Sequence, residues 1–173
     1  NNVWLDRLFN NDSAIRYRSM DESQIDFDPL NENQMIVLNE IKVIRSGLSG
    51  SLTEFVSNGG TLVIIPHIER DLESYNMLLR ALNTSLFDHW SKGASRASGI
   101  ATEHPIYRNV FTKESPDLEL PTIQGHFTTR DETKSNHETI ITLSNGDDYI
   151  YGATCGNGRV YVCTTPLREE MTD

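Results

Sequence analysis

The stretch GGTLVIIPHIERD, residues 59–71, runs from an apolar segment directly into a group of side chains that could do chemistry. An apolar run reaches Pro66, and four polar residues follow it: His67, Glu69, Arg70 and Asp71. In open α/β folds, the turn at the carboxyl end of a strand is where ligands and nucleophiles usually lie. A hydrolase or amidotransferase would need a serine or cysteine in this turn, flanked by glycines that let the backbone crowd the nucleophile. Neither is present, so we predict a solvated crevice without catalysis.

Two further expectations concern this turn. An imidazole in a solvated turn should titrate near its ordinary pKa of about 6.5. Replacing His67 by alanine should then change the free energy of unfolding by no more than about 0.5 kcal/mol, as for most surface substitutions.

Cofactor chemistry is not indicated in this turn either. A phosphate cradle requires glycines that offer free N–H groups at a helix start, and none is present here. No second Cys/His cluster accompanies His67, Glu69 and Asp71, so we predict no metal and no cofactor. The ligand-binding candidates come from this turn and from the end of an earlier apolar run: Asn39, Glu40, His67, Glu69 and Arg70.

The remaining polar residues predict no catalytic site. A Ser/His/Asp triad needs its members only to meet in space, so the scattered histidines leave it open, but no serine has the sequence context of a nucleophile. The acidic pairs lack the spacing of an EF-hand loop. The residues in question are His89, His104, His126, His137, Asp26/Asp28 and Asp147/Asp148. Four aromatic residues are expected to pack in a core rather than line a groove: Phe87, Trp90, Tyr107 and Phe111.

Composition narrows the classes of partner. The chain has 173 residues and a formal net charge of −10, from 25 acidic and 15 basic residues. Such a chain repels phosphate backbones and anionic lipid, so nucleic acid is not an expected partner. No apolar run approaches the roughly 20 residues of a membrane span, and no signal peptide opens the chain. The opening residues, NNVWLDRLFNND, are typical of the inside of a fold, which favours a fragment of a longer protein.

Periodicity predicts a βαβ unit in the first half. A helix over 3–10 places Val3, Trp4, Leu8 and, as a fourth member, Leu5 on one stripe, and 14–20 alternates like a strand with one wet face. A polar connector containing Pro29 follows. MIVLN and TLVII are apolar on both faces, so they are predicted to be adjacent parallel strands at the sheet centre. Two helices flank TLVII, one over 48–57 with a glycine C-cap and one N-capped by Asp71.

The second half predicts mostly antiparallel strands. Residues 91–99, SKGASRASG, have the composition of a surface loop. Three strand-like runs follow, with hairpin turns at Asn145-Gly146 and Asn157-Gly158. We therefore predict one α/β domain over 1–173, a three-layer sandwich of flavodoxin-like type. Its mixed sheet has a parallel core over about 1–83 and a β-rich half over about 100–167.

The two cysteines are expected to be free thiols. A turn at Asn157-Gly158 pairs Cys155 with Val160 and Cys163 with Gly152. Strand alternation then places the two sulfur atoms on opposite faces of the sheet.

Several motifs recur in one order in a known group of proteins: MIVLNEI, SGLSGSLTEFVSNGGTLVIIPH, YNMLLRALN, HPIYRNVF, LPTIQGHF and GNGRVYVCTTPL. From Met35 to Leu167 the chain resembles the C-terminal extracytoplasmic region of bacterial aerotolerance-regulator (BatA-type) membrane proteins. The resemblance implies a class I glutamine amidotransferase-like fold without its catalytic cysteine, because neither Cys155 nor Cys163 lies at an elbow. It also implies a periplasmic domain of an inner-membrane protein.

The expected function is therefore non-enzymatic: an interaction or scaffold domain of a membrane-anchored envelope protein. Its expected partners are other envelope proteins, and it would meet the membrane only through segments absent from this chain. The alternative is a ligand- or carbohydrate-sensing domain that uses the crevice near Asn39, Glu40 and His67. A hydrolase is the third hypothesis.

Overall fold

Seven strands of the described residues form one mixed β-sheet, in the order β1-β2-β7-β6-β5-β3-β4. A computed structural model describes residues 2–10, 12–21, 24, 30, 32–108, 110, 119–132 and 136–171. The elements are α1 (Val3–Phe9), β1 (Met35–Asn39), α2 (Ser46–Ser57), β2 (Thr61–Ile65), α3 (Leu72–Ala81), β3 (Leu86–Ile100), β4 (Thr122–Arg130), β5 (Glu138–Leu143), β6 (Asp148–Cys155) and β7 (Gly158–Cys163), with short 3₁₀ helices at Pro105–Tyr107 and Glu169–Met171. The predicted α/β class is confirmed, with parallel pairs toward the N-terminus and antiparallel pairs toward the C-terminus.

The parallel half consists of β1, β2 and β7. Val37 of β1 pairs with Val63 of β2, which pairs on its other side with Tyr161 of β7. The predicted parallel pairing of MIVLN with TLVII is therefore confirmed. The predicted central position of β1 is wrong, because β1 is an edge strand of this sheet and its Met35 is 44% exposed. The second neighbour of β2 comes from the far end of the chain, which a local apolar pattern does not reveal.

The helices α2 and α3 pack side by side and share one core cluster with β2 and β7. The predicted buried face of α2 is confirmed: Leu48, Leu52, Phe55 and Val56. The helix ends in a Schellman motif, in which the N–H of Gly60 donates to Phe55 and that of Gly59 to Val56. Gly59 has φ +112°, the left-handed conformation that such a C-cap needs. Asp71 caps α3 as predicted, because its carboxylate accepts from the N–H of Ser74 at 2.8 Å.

The loop predicted over 91–99 is instead the middle of a 15-residue strand, β3. The first part of β3 pairs with β4 and its end also pairs with β5, with bulges along the way. Within the polar run, Ser95 and Ala97 are buried and their neighbours are not, so the run has one inner face. Small polar residues obscured this alternation, and pairing on two edges stabilises a strand that the local composition does not favour.

Two predictions for the first 20 residues are wrong. The helix is present, but of its predicted apolar stripe Leu5 is buried while Val3, Trp4 and Leu8 are exposed. Residues 14–20 form no strand; Tyr17 instead packs on Phe9 at 5.7 Å and donates to Asp6 at 2.9 Å. Pro29 of the connector and the Asp26/Asp28 pair lie outside the described residues, as does Phe111.

The C-terminal hairpin turns one residue earlier than predicted. Gly156 and Asn157 form the turn and Cys155 pairs with Gly158, so the expected Asn157-Gly158 turn is wrong. Gly156 takes the left-handed conformation with φ +58°. Gly158 lies under the end of α2, where a Cβ atom would be 2.1 Å from the carbonyl oxygen of Val56. The hairpin between β5 and β6 turns at Asn145-Gly146 as predicted, with Gly146 at φ +91°.

Although the turn is shifted by one residue, the two cysteines still lie on opposite faces of the sheet. Cys163 pairs with Ile150, which lies five positions before Cys155 on β6. An odd number of positions along a strand reverses the face, so the two side chains point to opposite sides of the sheet.

Candidate functional site

The crevice predicted from the sequence corresponds to the edge of the sheet where the carboxyl ends of β1 and β2 meet the segment after β7. Glu40, directly after β1, has φ +52°, an unusual value for a residue with a side chain. Its carboxylate accepts from the Nε–H of Arg168 at 2.7 Å, and a guanidinium NH2 nitrogen of that arginine lies 2.5 Å from the same oxygen. The hydrogen bond to Glu40 raises the pKa of Arg168. Only 5% of the Glu40 side chain is exposed. This ion pair therefore links the end of β1 to the segment that follows β7.

The two loops at this edge are joined to each other. Asp71 donates its N–H to the carbonyl of Lys42 at 2.7 Å, and the hydroxyl of Tyr75 donates to the carbonyl of Ile41 at 2.6 Å. The Lys42 ammonium lies 2.8 Å from the Glu69 carboxylate, but both side chains are largely exposed. An exposed pair of this kind adds little stability. Hydrogen bonds to the backbone therefore hold the two loops together at this edge, and a solvated ion pair lies beside them.

His67 is a structural part of the turn. Its Nδ1 accepts a hydrogen bond from the N–H of Glu69 at 2.9 Å. Burial lowers the pKa of the imidazole, and the positive charges of Arg168 and Lys42 lower it further. The expectation of an unperturbed His67 is wrong for this reason. The neutral ring carries its proton on Nε2, because Nδ1 is already an acceptor.

Arg70 is half-buried, contrary to the expected solvated turn. Its guanidinium carbon lies 3.2 Å from the centre of the Phe127 ring and 5.3 Å from that of Phe87. Its Nε atom is buried and has no hydrogen-bond partner among the described residues. Desolvation lowers the pKa of Arg70 to about 10. The cation thus lies on an aromatic surface and has no carboxylate beside it in the described part of the chain.

The structure places the predicted ligand-binding residues at one edge of the sheet, but it gives them different roles. Glu40 and Glu69 are engaged in ion pairs. The Asn39 amide donates to the side chain of Asn2 at 2.7 Å, so it contacts the segment that leads into α1. The two residues whose donor groups have no acceptor within the described residues are His67, through Nε2, and Arg70.

A second polar cluster, which the sequence did not reveal, joins four segments at the start of β3. The Ser85 hydroxyl donates to the carboxylate of Asp131 and lies 2.6 Å from Nδ1 of His137. Nε2 of His137 lies 3.2 Å from the carboxylate of Asp148. The ring stacks on Tyr151 at 4.8 Å, and the Tyr151 hydroxyl donates to the carbonyl of Ser85 at 3.0 Å. We call Ser85, Asp131, His137 and Asp148 the β3 polar cluster.

Counting protons assigns a charged histidine to the β3 polar cluster. The single Ser85 proton goes to Asp131, so the Nδ1 of His137 must donate to the serine oxygen, while Nε2 donates to Asp148. The hydrogen bond to Asp148 raises the pKa of His137, against a smaller opposing effect of burial. Burial by itself would raise the pKa of Asp148, but hydrogen bonds from His137 and Thr139 bring it below its usual value. An imidazolium has no lone pair to accept a proton from a serine.

Two kinds of feature are absent from the described residues. No three His, Cys, Asp or Glu side chains gather there in a way that would hold a metal ion. No helix in that part of the chain combines the length and the apolar character of a membrane span.

No family model matches the chain, and no curated protein matches it. Solved structures do match. The chain resembles two proteins of Salmonella typhimurium named as cytoplasmic, STM3548 (TM-score 0.64, 19% identity) and STM1381 (0.63, 17%), which it matches over 83% of its own length. It also resembles a beta-galactosidase from Rahnella sp. R3 (0.56, 13%), over 81% of this chain and 21% of the enzyme.

The chain has a class I glutamine amidotransferase-like fold. At these identities the likeness concerns the fold alone. The chain covers 65% and 64% of the two Salmonella proteins, so it spans slightly less than two thirds of their length.

Proposed function

We propose that this chain is a non-enzymatic interaction domain of a membrane-anchored bacterial envelope protein of the aerotolerance-regulator type. The observation that carries the proposal is that the side chains at the strand–helix turn bind other groups of the same chain. At the position where an enzyme of this fold would present a nucleophile, the Nδ1 of His67 accepts a hydrogen bond from the N–H of Glu69 at 2.9 Å. Four of the charged side chains at this edge that could polarise a substrate are paired with each other instead, Glu40 with Arg168 and Lys42 with Glu69, and the Arg70 cation is stacked on Phe127. The order of the motifs between Met35 and Leu167 supports the envelope setting.

The surface around the crevice suits a protein partner. Three apolar side chains of the two joined loops and the start of α3 are exposed: Val43 by 49%, Ile68 by 38% and Leu72 by 37%. Apolar side chains beside paired charges resemble a protein–protein contact, which combines apolar contacts with a polar rim. The partner in this proposal is another envelope protein.

Site-specific photocrosslinking in cells tests this role. A photoreactive residue would replace Ile68 in the full-length parent protein, and Met77, on the exposed side of α3, gives the matched control because it is 53% exposed. We expect one discrete crosslinked product from position 68 and none from position 77. Equal products from both positions, or none from either, would refute a contact at the crevice.

The cellular location is tested separately. The Salmonella proteins of the same fold are named as cytoplasmic, whereas the motif resemblance favours a periplasmic domain. A fusion of the full-length parent to alkaline phosphatase, which is active only after export, should be active. An inactive phosphatase fusion together with a fluorescent cytoplasmic reporter fusion would contradict the periplasmic proposal.

The geometry of Ser85, His137 and Asp148 favours one second candidate, a serine hydrolase. A triad acts by moving the serine proton to a neutral imidazole, which the carboxylate orients. In the β3 polar cluster the serine is fully buried and its proton is given to Asp131. Incubation with a fluorophosphonate, followed by intact mass measurement, distinguishes the two candidates. If the chain is only an interaction domain, we expect no fluorophosphonate adduct. An adduct that forms on the wild-type protein and is absent from Ser85→Ala would establish the hydrolase.

A further inference from the structure

We propose that the Glu40 carboxylate is a binding site for a guanidinium cation, and that the Arg168 side chain occupies this site until a ligand displaces it. The ligand is a small molecule with a guanidinium group or an arginine side chain of a protein partner, since both present the same planar set of donors. This inference goes beyond the interaction role, because it assigns a ligand chemistry to one carboxylate whatever protein the apolar surface contacts.

Glu40 differs from an ordinary surface acid in its place, its backbone and its burial. It directly follows β1, at the edge of the sheet where ligands bind in open α/β folds. Its φ of +52° is a conformation that a residue with a side chain keeps at a cost, and such residues cluster at ligand sites. The side chain is almost fully buried, so its negative charge requires a cation beside it.

Arg168 satisfies this carboxylate only in part. Its Nε–H donates to Oε2 at 2.7 Å, and its NH2 nitrogen lies 2.5 Å from the same oxygen. The other oxygen, Oε1, is buried and accepts no hydrogen bond from the described residues. The strongest pairs of a guanidinium with a carboxylate use both oxygens, through two parallel N–H donors. A ligand that reaches Oε1 therefore gains a hydrogen bond that Arg168 does not make, and it removes the cost of an unpaired buried acceptor.

The Arg168 side chain can leave Glu40 while the segment around it stays in place. This segment is anchored on both sides, because the Thr165 hydroxyl donates to the carbonyl of Gly125 at 2.8 Å and Met171 is buried. The Arg168 side chain is 32% exposed, so the cation is the more accessible member of the pair. Exchange then requires the rotation of one long side chain, and the ligand would enter by the position that the arginine vacates.

The surrounding charges favour a cation over an anion. The hydrogen bond to Glu40 raises the pKa of Arg168, and the negative charges of Glu170 and Glu69 raise it further. A ligand guanidinium in the same place meets the same three carboxylates. Lys42, a cation at this edge, is already paired with Glu69 at 2.8 Å. The net charge of −10 attracts cations at longer range.

Isothermal titration calorimetry with two probes tests the site. Agmatine represents a free ligand, and Nα-acetyl-arginine amide represents an arginine within a protein chain. Arg168→Ala vacates the site, so at least one probe should bind this variant about tenfold or more tightly than it binds the wild type. The double variant Glu40→Gln/Arg168→Ala keeps the shape of the carboxylate without its charge and should lose that gain. Arg80→Ala is the matched control, because Arg80 also pairs with a glutamate, and its affinity should equal that of the wild type.

The probe that gains affinity identifies the source of the guanidinium. A gain for agmatine alone would indicate a small molecule, whereas a gain for Nα-acetyl-arginine amide would indicate an arginine of a partner. Putrescine, which has an ammonium in place of the guanidinium of agmatine, should bind Arg168→Ala more weakly than agmatine does, because it offers no planar pair of donors.

A measurement on the wild-type protein decides the question if Arg168→Ala does not fold. In protein labelled with ¹⁵N, the Nε–H resonance of Arg168 should move in a saturable way as a probe displaces it, while that of Arg80 stays in place. The proposal is overturned if neither probe moves the Arg168 resonance beyond the effect of sodium chloride at matched ionic strength. It is also overturned if Arg168→Ala binds both probes no more tightly than Arg80→Ala does.

Discussion

The β3 polar cluster makes the stability of this domain depend on pH in a defined direction. His137 has a raised pKa in the folded protein, mainly because of its hydrogen bond to Asp148. A group whose pKa is higher in the folded state stabilises the fold fully below its unfolded pKa of about 6.5. That contribution is lost as the pH rises through the folded pKa. We therefore expect the part of the free energy of unfolding that depends on His137 to decrease above about pH 6.5.

The perturbation we choose is His137→Phe, because a phenyl ring preserves the stack on Tyr151 and removes both hydrogen bonds. Asp148 keeps hydrogen bonds from Thr129 at 3.0 Å and Thr139 at 2.8 Å, so it is not left without partners. The loss is then at least that of one hydrogen bond to a charged group, about 1.5–3 kcal/mol, because the bond to Asp148 is lost together with the one to Ser85. A buried carboxylate with no partner would cost about 3–5 kcal/mol. We therefore expect His137→Phe to lower the free energy of unfolding by about 1.5–3 kcal/mol at pH 6 and by less at pH 8.5.

Urea unfolding of both proteins between pH 5.5 and 8.5 measures the effect. The informative quantity is the difference between the two curves, because His67 has a lowered pKa and contributes with the opposite sign. His89→Gln serves as control, since His89 is an exposed residue beside Asp88. An NMR titration of the His137 ring should give a pKa above 6.5. A His137 pKa below 6.5, or a difference between the curves that does not shrink as the pH rises, would refute the proton assignment.

The other predictions concern glycine positions, the thiols and His67. Gly158→Ala should lower the free energy of unfolding by at least about 1–3 kcal/mol, as overpacking does, whereas Gly50→Ala, in open space within α2, should raise it by about 0.5–1 kcal/mol; equal effects in urea unfolding would contradict the packing argument. Intact mass should show both cysteines reduced, and Cys163, whose pKa burial raises to about 11, should react slowly with iodoacetamide at pH 8; a mass lower by two protons would indicate a disulfide. His67→Ala should change the free energy of unfolding by no more than about 0.5 kcal/mol, and a larger loss would show that the hydrogen bond from Glu69 matters to the fold.

Elements whose signals are local could be predicted from the sequence. The buried face of α2, its glycine C-cap and the Asp71 cap of α3 depend on residues within a few positions of each other. The position of β1 at the sheet edge could not be predicted, because it depends on where β7 inserts. The strand nature of 91–99 was hidden for a similar reason: its partners are distant, and its own residues are small and polar.

The crevice was only partly predictable. Its location follows from a strand that runs into a helix, and both His67 and Arg70 are visible in that turn. Two of its residues come from distant parts of the chain. Arg168, which forms an ion pair with Glu40, follows β7, and Phe127, on which Arg70 stacks, belongs to β4. The β3 polar cluster could not be assembled from the sequence, although His137 and Asp148 were noted there, because its four members come from four separate segments that meet only in the folded sheet.

The pairing of β2 with β7 has a consequence for how the protein is made. Thr61 lies beside Arg159, so β2 leaves the ribosome long before the strand that must cover its second edge. Until then, TLVII is an apolar ribbon with a free row of backbone donors and acceptors, the kind of edge that recruits wrong partners. The nascent chain has β1, α2 and α3 available, but the sheet closes around β2 only when the final hairpin has been synthesised. Residues 1–83 are therefore not a self-sufficient folding unit, and a chain that terminates before Gly158 is expected to aggregate rather than to form a smaller native domain.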